Sequence, residues 1–306
     1  MKFKKYQHIE RYETDKVKGI EIGTCYIFPK IDGTNASVWL DNGEVCVGSR
    51  NRKLSLEHDN GGFYKFVSND KKIKEYLFKN PTHRLYGEWL IPHSLRTYRD
   101  DAWQNFYIFD VCIDKEMTGK SEYGLEYLPY KIYQPLLEEF DLEYLAPIAI
   151  INNGNYENFI KCTEQNIFLI QENKGVGEGI VIKNYDYYNR NNDQIWAKVV
   201  TNEFKEKSHR IMGAPEVNYR TIEEIIVKDF ITSSFVEKEY AKIVVEQGEW
   251  KPQYIPMFLG KIFHELINEE IWNIIKKYKN PKIDFNVLNI LTTRKIKSVK
   301  PEIFQK

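Results

Sequence analysis

Residues 30–35 read Lys-Ile-Asp-Gly-Thr-Asn, an amine two positions before a carboxylate, set between the apolar runs YIFP and ASVWL. A lysine that has lost its proton is a nucleophile, and the end of a strand can hold it toward an electrophile. The same letters also spell an ordinary hairpin, because Asp-Gly between apolar stretches is a strong turn signal. Choosing between the readings needs more charge at strand ends, and later stretches supply it. Gly48-Ser49-Arg50-Asn51-Arg52 follows an apolar run, and Leu85-Tyr86-Gly87-Glu88-Trp89 sets Glu88 beside a glycine. Phe106-Tyr107-Ile108-Phe109-Asp110-Val111 is an aromatic strand. Glu178-Gly179-Ile180-Val181-Ile182-Lys183 opens on a carboxylate and closes on a lysine, and Trp196-Ala197-Lys198-Val199-Val200 ends the series. Each alone reads equally as structure, with Phe106 as core and Glu88 or Glu178 as turn residues. Charged groups are rarely buried without partners, so the repeated pattern implies one polar pocket walled by strands.

The elements that must position these groups follow from periodicity. Residues 19–30, 34–42 and 44–50 alternate apolar and polar, with Asp41-Asn42-Gly43 as a hairpin turn. Residues 63–79 carry Phe63, Phe66, Val67, Ile73, Leu77 and Phe78 at helical spacing, and Asn80-Pro81 stops them. HRLYGEWL and NFYIFDVCI read as strands, 131–140 and 155–174 as helices, and EGIVIKNY and DQIWAKVVT as short strands. Beyond about residue 205 the chain turns helical, so the expected division is a mixed domain over 1–210 and a helical domain over 211–306.

Composition narrows the class. The chain has 306 residues, 42% hydrophobic and 14% aromatic, which is enough apolar material for a globular fold. Lys+Arg and Asp+Glu both total 44, so bulk charge gives no sign of a nucleic-acid partner, although a local groove would suffice. Cys25, Cys46, Cys112 and Cys162 stand apart without metal-ligand spacing, which suits reduced thiols inside a cell. MKFKKYQHIERYE lacks the apolar stretch of a secretory signal, and no run reaches membrane-spanning length. A cytoplasmic monomer with no membrane partner is the expectation.

Taken together and in order, KIDGTN, GSR, YGEW, FYIFDV, EGIVIK and WAKVV resemble the motifs of the covalent nucleotidyltransferases, the superfamily of polynucleotide ligases and mRNA capping enzymes. The likeness covers about residues 26–205. It is most similar to ATP-dependent RNA ligases of the phage RNA ligase 2 type, which carry the transferase domain first and a helical domain after it. The resemblance implies an α+β fold: an ATP-grasp-like ligase domain of antiparallel sheets with flanking helices, then an all-α domain. It implies ATP, with Mg²⁺ as cofactor and Mn²⁺ as a substitute, and RNA ends from a nicked duplex or broken strand as partners. By the same resemblance Lys30 takes AMP, and Arg50 contacts the ribose or the RNA end, with Arg52 as substitute. Glu88 and Asn35 touch the ribose, and Phe106 stacks on adenine with Tyr107 as the fallback. Glu178 lies near the metal, and Lys183 and Lys198 bind phosphate. Pro92-His93-Ser94-Leu95-Arg96 follows Glu88, which makes His93 and Arg96 candidates for RNA phosphates.

Two departures keep other readings open. Pro29, before the nucleophile, has no N–H, and Val200 stands where a second lysine is usual, so that one cation is missing or Lys205 or Lys207 replaces it. A DNA ligase, a GTP-using guanylyltransferase and a non-catalytic RNA-binding module on the same fold are the alternatives.

Overall fold

The alternating stretches assemble into two sheets. The computed structural model describes residues 1–12, 14–92, 98–115, 123–200 and 221–304. In chain order the strands are β1 (Glu10–Arg11), β2 (Thr24–Lys30), β3 (Thr34–Asp41), β4 (Glu44–Ser49), β5 (His83–Leu90), β6 (Asn105–Asp114), β7 (Leu125–Tyr127), β8 (Ala149–Asn152), β9 (Gly179–Lys183) and β10 (Ala197–Val200). One sheet runs β1-β10-β9-β2-β8, antiparallel except for the β1–β10 pair. The other runs β4-β3-β5-β6-β7, antiparallel throughout.

The helices are α1 (Phe63–Asn69), α2 (Lys71–Lys79), α3 (Tyr130–Glu139), α4 (Tyr156–Glu164), α5 (Ile222–Phe230), α6 (Ser233–Gln247), α7 (Ile255–Tyr278) and α8 (Phe285–Val299). The chain divides into two compact units, one carrying both sheets and the other α5 to α8. The expected boundary at 210 falls outside the described residues. Thr221 caps α5 by accepting from the Glu224 N–H while Glu224 answers the Thr221 N–H, a capping box that marks the helix start in the sequence. Ile226, Phe258, Ile262 and Leu288 anchor the core of this helical unit.

Three local expectations change. The single helix over 63–79 is two, because Asp70 adopts an extended conformation and caps α2 by accepting from the Ile73 N–H. The helix over 155–174 ends at Glu164. The hairpin reading of 26–40 fails, since β2 and β3 lie in different sheets. The actual hairpin is β3–β4, where Asn42 (φ 52°) and Gly43 (φ 82°) supply the left-handed pair a two-residue turn requires.

The sheet-bearing unit has a core on each face of the first sheet. Phe28, Val181 and Trp196 pack with Tyr86, Tyr107 and Cys112 of the second sheet. Ile27, Ile180, Ile182 and Ala197 turn the other way, onto Phe159 of α4. Period-2 alternation thus decides which side chains reach the space between the sheets.

Candidate active site

Lys30 is the last residue of β2, at the point where the chain crosses from one sheet to the other. Its Cα partner across the ladder is Gly179, the first residue of β9, so Glu178 arrives beside it from the neighbouring strand. Lys30 Nζ donates to Glu178 Oε2 at 2.5 Å, and the two side chains keep 23% and 15% of their surface exposed. The crossover itself is held by Tyr98, whose buried hydroxyl accepts from the Asp32 N–H at 2.7 Å. Gly33 is required by space, since a Cβ there would meet the Trp89 carbonyl oxygen at 2.6 Å. That close approach lets the Gly33 N–H donate to Glu88 Oε1 at 3.0 Å.

Glu88 therefore joins the cluster from the second sheet. Burial pushes its carboxyl up to about 7, and Asp32 and Glu178 push the same way. The Lys30 ammonium and the Gly33 N–H oppose them. The register Asn35↔Glu88↔Tyr107 sets Asn35 and Tyr107 on the face of Glu88. Arg50 and Arg52 lie just past β4, where the Ser49 N–H donates to the Arg52 carbonyl. The ladder ends at the Ala36–Ser49 pair, and Arg50 follows it in the turn that Ser49 and Arg52 close.

Phe106 is not on that face. It pairs with Trp89, its ring centroid lies 4.9 Å from that of Phe63 in α1, and it fills the space a Cβ on Gly87 would need, at 2.4 Å. The alternation that brings Tyr107 toward Glu88 sends Phe106 into the core on the other side. The aromatic that sequence reasoning passed over is Phe109. The β5–β6 register slips between Tyr86 and Gly87, with Phe109 as the extra residue of a bulge. A bulge re-aims a side chain, and here Phe109 joins Asp110 on the inner face. Its half-buried ring lies 4.9 Å from Tyr6, with Lys183 Nζ 5.7 Å from its centre. Alternation from Tyr107 already sends Phe109 to this face, and the slip adds Asp110 beside it.

Lys183 sits deeper than Lys30, opposite Tyr26. Its ammonium donates to the Phe109 carbonyl at 2.5 Å and to Asp110 Oδ1 at 2.8 Å, over the Phe28 ring at 4.5 Å. Asp110 also accepts from the Tyr6 hydroxyl and from Trp196 Nε1 at 3.2 Å. Burial pushes the Asp110 carboxyl up and the Lys183 ammonium down, each opposed by the other's charge. With two oxygens bound and aromatic rings around it, Lys183 is a brace within the pocket wall. Lys198, level with Val181 on β10, is half-buried on the same face. His93 and Arg96 lie outside the described residues, as do Lys205 and Lys207.

Among the described residues no group of three or more His, Cys, Asp or Glu side chains is arranged to hold a metal, and no helix is long and apolar enough to cross a membrane. The arrangement offers a lysine at a strand end, carboxylates around it, and an aromatic ring deeper in.

A model of the RNA ligase family matches residues 23–200, a span running from β2 to β10. No curated protein matches the chain. Among solved structures, a Naegleria gruberi RNA ligase with PPi is 19% identical with a TM-score of 0.48, over 67% of this chain and 58% of that one. A variant of the Naegleria ligase with ATP and Mn is 20% identical with a TM-score of 0.47, over 66% and 57%. Another variant, without ligand, is 22% identical at 0.47 over the same shares. The chain thus spans under two thirds of the length of these relatives.

Proposed function

Because the chain belongs to the RNA ligase family, we propose that it is an ATP-dependent RNA ligase joining 5′-phosphate and 3′-hydroxyl ends through a lysyl-AMP intermediate. The observation that carries this reading is Lys30 at a strand end, ion-paired with Glu178 and backed by Glu88. Lys30 Nζ attacks the α-phosphorus of ATP. An N–P bond forms, the bond from the α-phosphorus to the bridging oxygen breaks, pyrophosphate leaves and the amine gives up a proton. The RNA 5′-phosphate then takes AMP from Lys30, and a 3′-hydroxyl displaces AMP to close the phosphodiester. Attack needs the amine's lone pair, so the ammonium paired with Glu178 must first lose a proton.

Glu88 and Asn35 would receive the ribose, Arg50 would contact the ribose or the RNA end, and Lys198 would meet phosphate. Phe109 is the better platform for adenine than Phe106 or the buried Tyr107, because its half-buried ring has surface to offer. Glu178 fits a divalent ion of the Mg²⁺ type, which takes one or two carboxylates and otherwise keeps waters and substrate phosphates. When bound, such an ion neutralises charge on the phosphoryl oxygens; Mn²⁺ is an alternative, as in the Naegleria complexes. We assign the helical unit to the choice of RNA substrate. The free, buried cysteines support a reducing compartment such as the cytoplasm.

Incubation with Mg²⁺ and α-labelled ATP, GTP in parallel, followed by a denaturing gel, tests the reading. Label from ATP that disappears in Lys30→Ala supports it, as does subsequent sealing of a 5′-phosphate RNA. Label from GTP alone points to capping chemistry. An unmodified protein, checked by intact mass, that takes no label leaves a binding module.

A further inference from the structure

The segment before β1 is fastened across both sheets. The Lys2 carbonyl accepts from Arg84 at 2.7 Å and the Lys4 carbonyl from the Tyr86 hydroxyl at 2.9 Å, both on β5. Gln7 Oε1 accepts from the Trp196 N–H at 3.1 Å, and β1 then pairs with β10. Between these fixed points stands Tyr6, 3% exposed, its hydroxyl on Asp110 and its ring 4.9 Å from Phe109.

The bulge explains why such a clamp is useful. An extra residue in a strand leaves the ladder locally unpaired, and a buried carbonyl without donors is costly. The Phe109 carbonyl takes its donors from side chains, Lys183 at 2.5 Å and the Tyr133 hydroxyl at 3.3 Å. Lys183 is in turn held by Asp110, and Asp110 by Tyr6 and Trp196. An apolar core would be as stable as this buried ion pair or more so. A chain of contacts that ends on a half-buried aromatic ring is better accounted for as control of that ring's position.

We propose that Tyr6 is a positioning residue for the nucleotide base: it fixes Phe109 through ring contact and through the Asp110–Lys183 pair, so that nucleotide affinity depends on a segment remote in sequence. This rests on the ligase reading, with Phe109 as the base platform. Removal of the Tyr6 hydroxyl therefore weakens ATP binding and leaves the chemistry at Lys30 intact.

The test is the rate of self-adenylation against ATP concentration for wild type, Tyr6→Phe, Phe109→Leu and the double variant, with ATP binding by calorimetry alongside. Tyr6→Phe is expected to raise the half-saturating ATP about tenfold, with the maximal rate within about twofold. In the double variant it should add little to Phe109→Leu, because the two act through one ring. Phe159→Leu, in the core on the opposite face of the first sheet, is the stability control: it should lower Tm and leave half-saturation unchanged. Unchanged half-saturation in Tyr6→Phe, full additivity with Phe109→Leu, or an equal rise in Phe159→Leu overturns the proposal. A wild type that binds ATP but takes no label sinks the ligase reading alone, and calorimetry of Tyr6→Phe still decides this one. A wild type that does neither sinks both.

Discussion

Lys30 meets Glu178 at 2.5 Å and Lys183 meets Asp110 at 2.8 Å, yet the first pair keeps 23% and 15% of its side-chain surface exposed and the second 2% and 0%. Both lysines stand on the inner face of one sheet, at opposite ends of the β2–β9 pairing. The outer pair, still partly exposed, can exchange its partner for a substrate. The inner pair is bound on every side, and losing a member strands a charge in a low-dielectric interior. The same residue types therefore serve as reagent in one place and as framework in the other, and burial separates them.

The sharpest way to break the comparison is to remove each lysine's charge in turn. Lys183→Met leaves Asp110 without its cation and is expected to cost about 3–5 kcal/mol of stability. Lys30→Met, at a partly exposed pair, should cost about 1 kcal/mol or less while reducing adenylation to background. Chemical denaturation and the label-transfer assay give both values. A large stability loss at Lys30, or full activity without it, would collapse the distinction. Pairing Lys183→Met with Asp110→Leu should recover much of the lost stability, since no unpaired charge then remains.

A smaller effect separates the two phenylalanines of the same strand. Phe106→Leu loses packing against Phe63 and the Gly87 backbone, about 1–1.5 kcal/mol, with half-saturating ATP unchanged. Phe109→Leu, at a half-buried ring, should cost less stability and raise half-saturation several-fold. The reverse pattern would return the adenine platform to Phe106.

These residues also mark how far the sequence could be read. That Lys30 and Glu178 bound their strands was legible because a charge flanking an apolar run is written locally, and the strands alternate cleanly. The β3–β4 hairpin was legible from Asn42-Gly43. The crossover at Asp32-Gly33 was not, because the letters that make a hairpin also make a sheet-to-sheet passage, and only the distant partners Trp89 and Tyr98 decide between them. Phe106 lies on the face away from Glu88, which depends on register, whereas Tyr107 and Phe109 alternate onto the inner side and the bulge adds Asp110 there. The surroundings of Lys183 depend on Asp110 and Phe109, far off in sequence, and its burial against them could not be read locally.

Glu88 sharpens the comparison from the second sheet, because it is a carboxylate held near a lysine without fully sharing its charge. Its folded carboxyl lies at about 7, above the ordinary value of about 4.3 for a free glutamate. The folded state therefore holds this proton more tightly than the unfolded state does. The stabilisation is complete below the unfolded value and is lost as pH rises from about 4.3 to 7. Glu88→Gln, which stays neutral, should track wild type in Tm near pH 4 and overtake it as pH rises, reaching an advantage of about 1 kcal/mol above pH 7. Thermal melts of the two proteins from pH 4 to 9 measure the difference directly. A difference that is flat with pH would mean that the Glu88 carboxyl titrates alike in the folded and unfolded states, so that the pocket does not resist its charge. A rise ending near 7 would mean that the pocket resists this negative charge even with the Lys30 ammonium beside it.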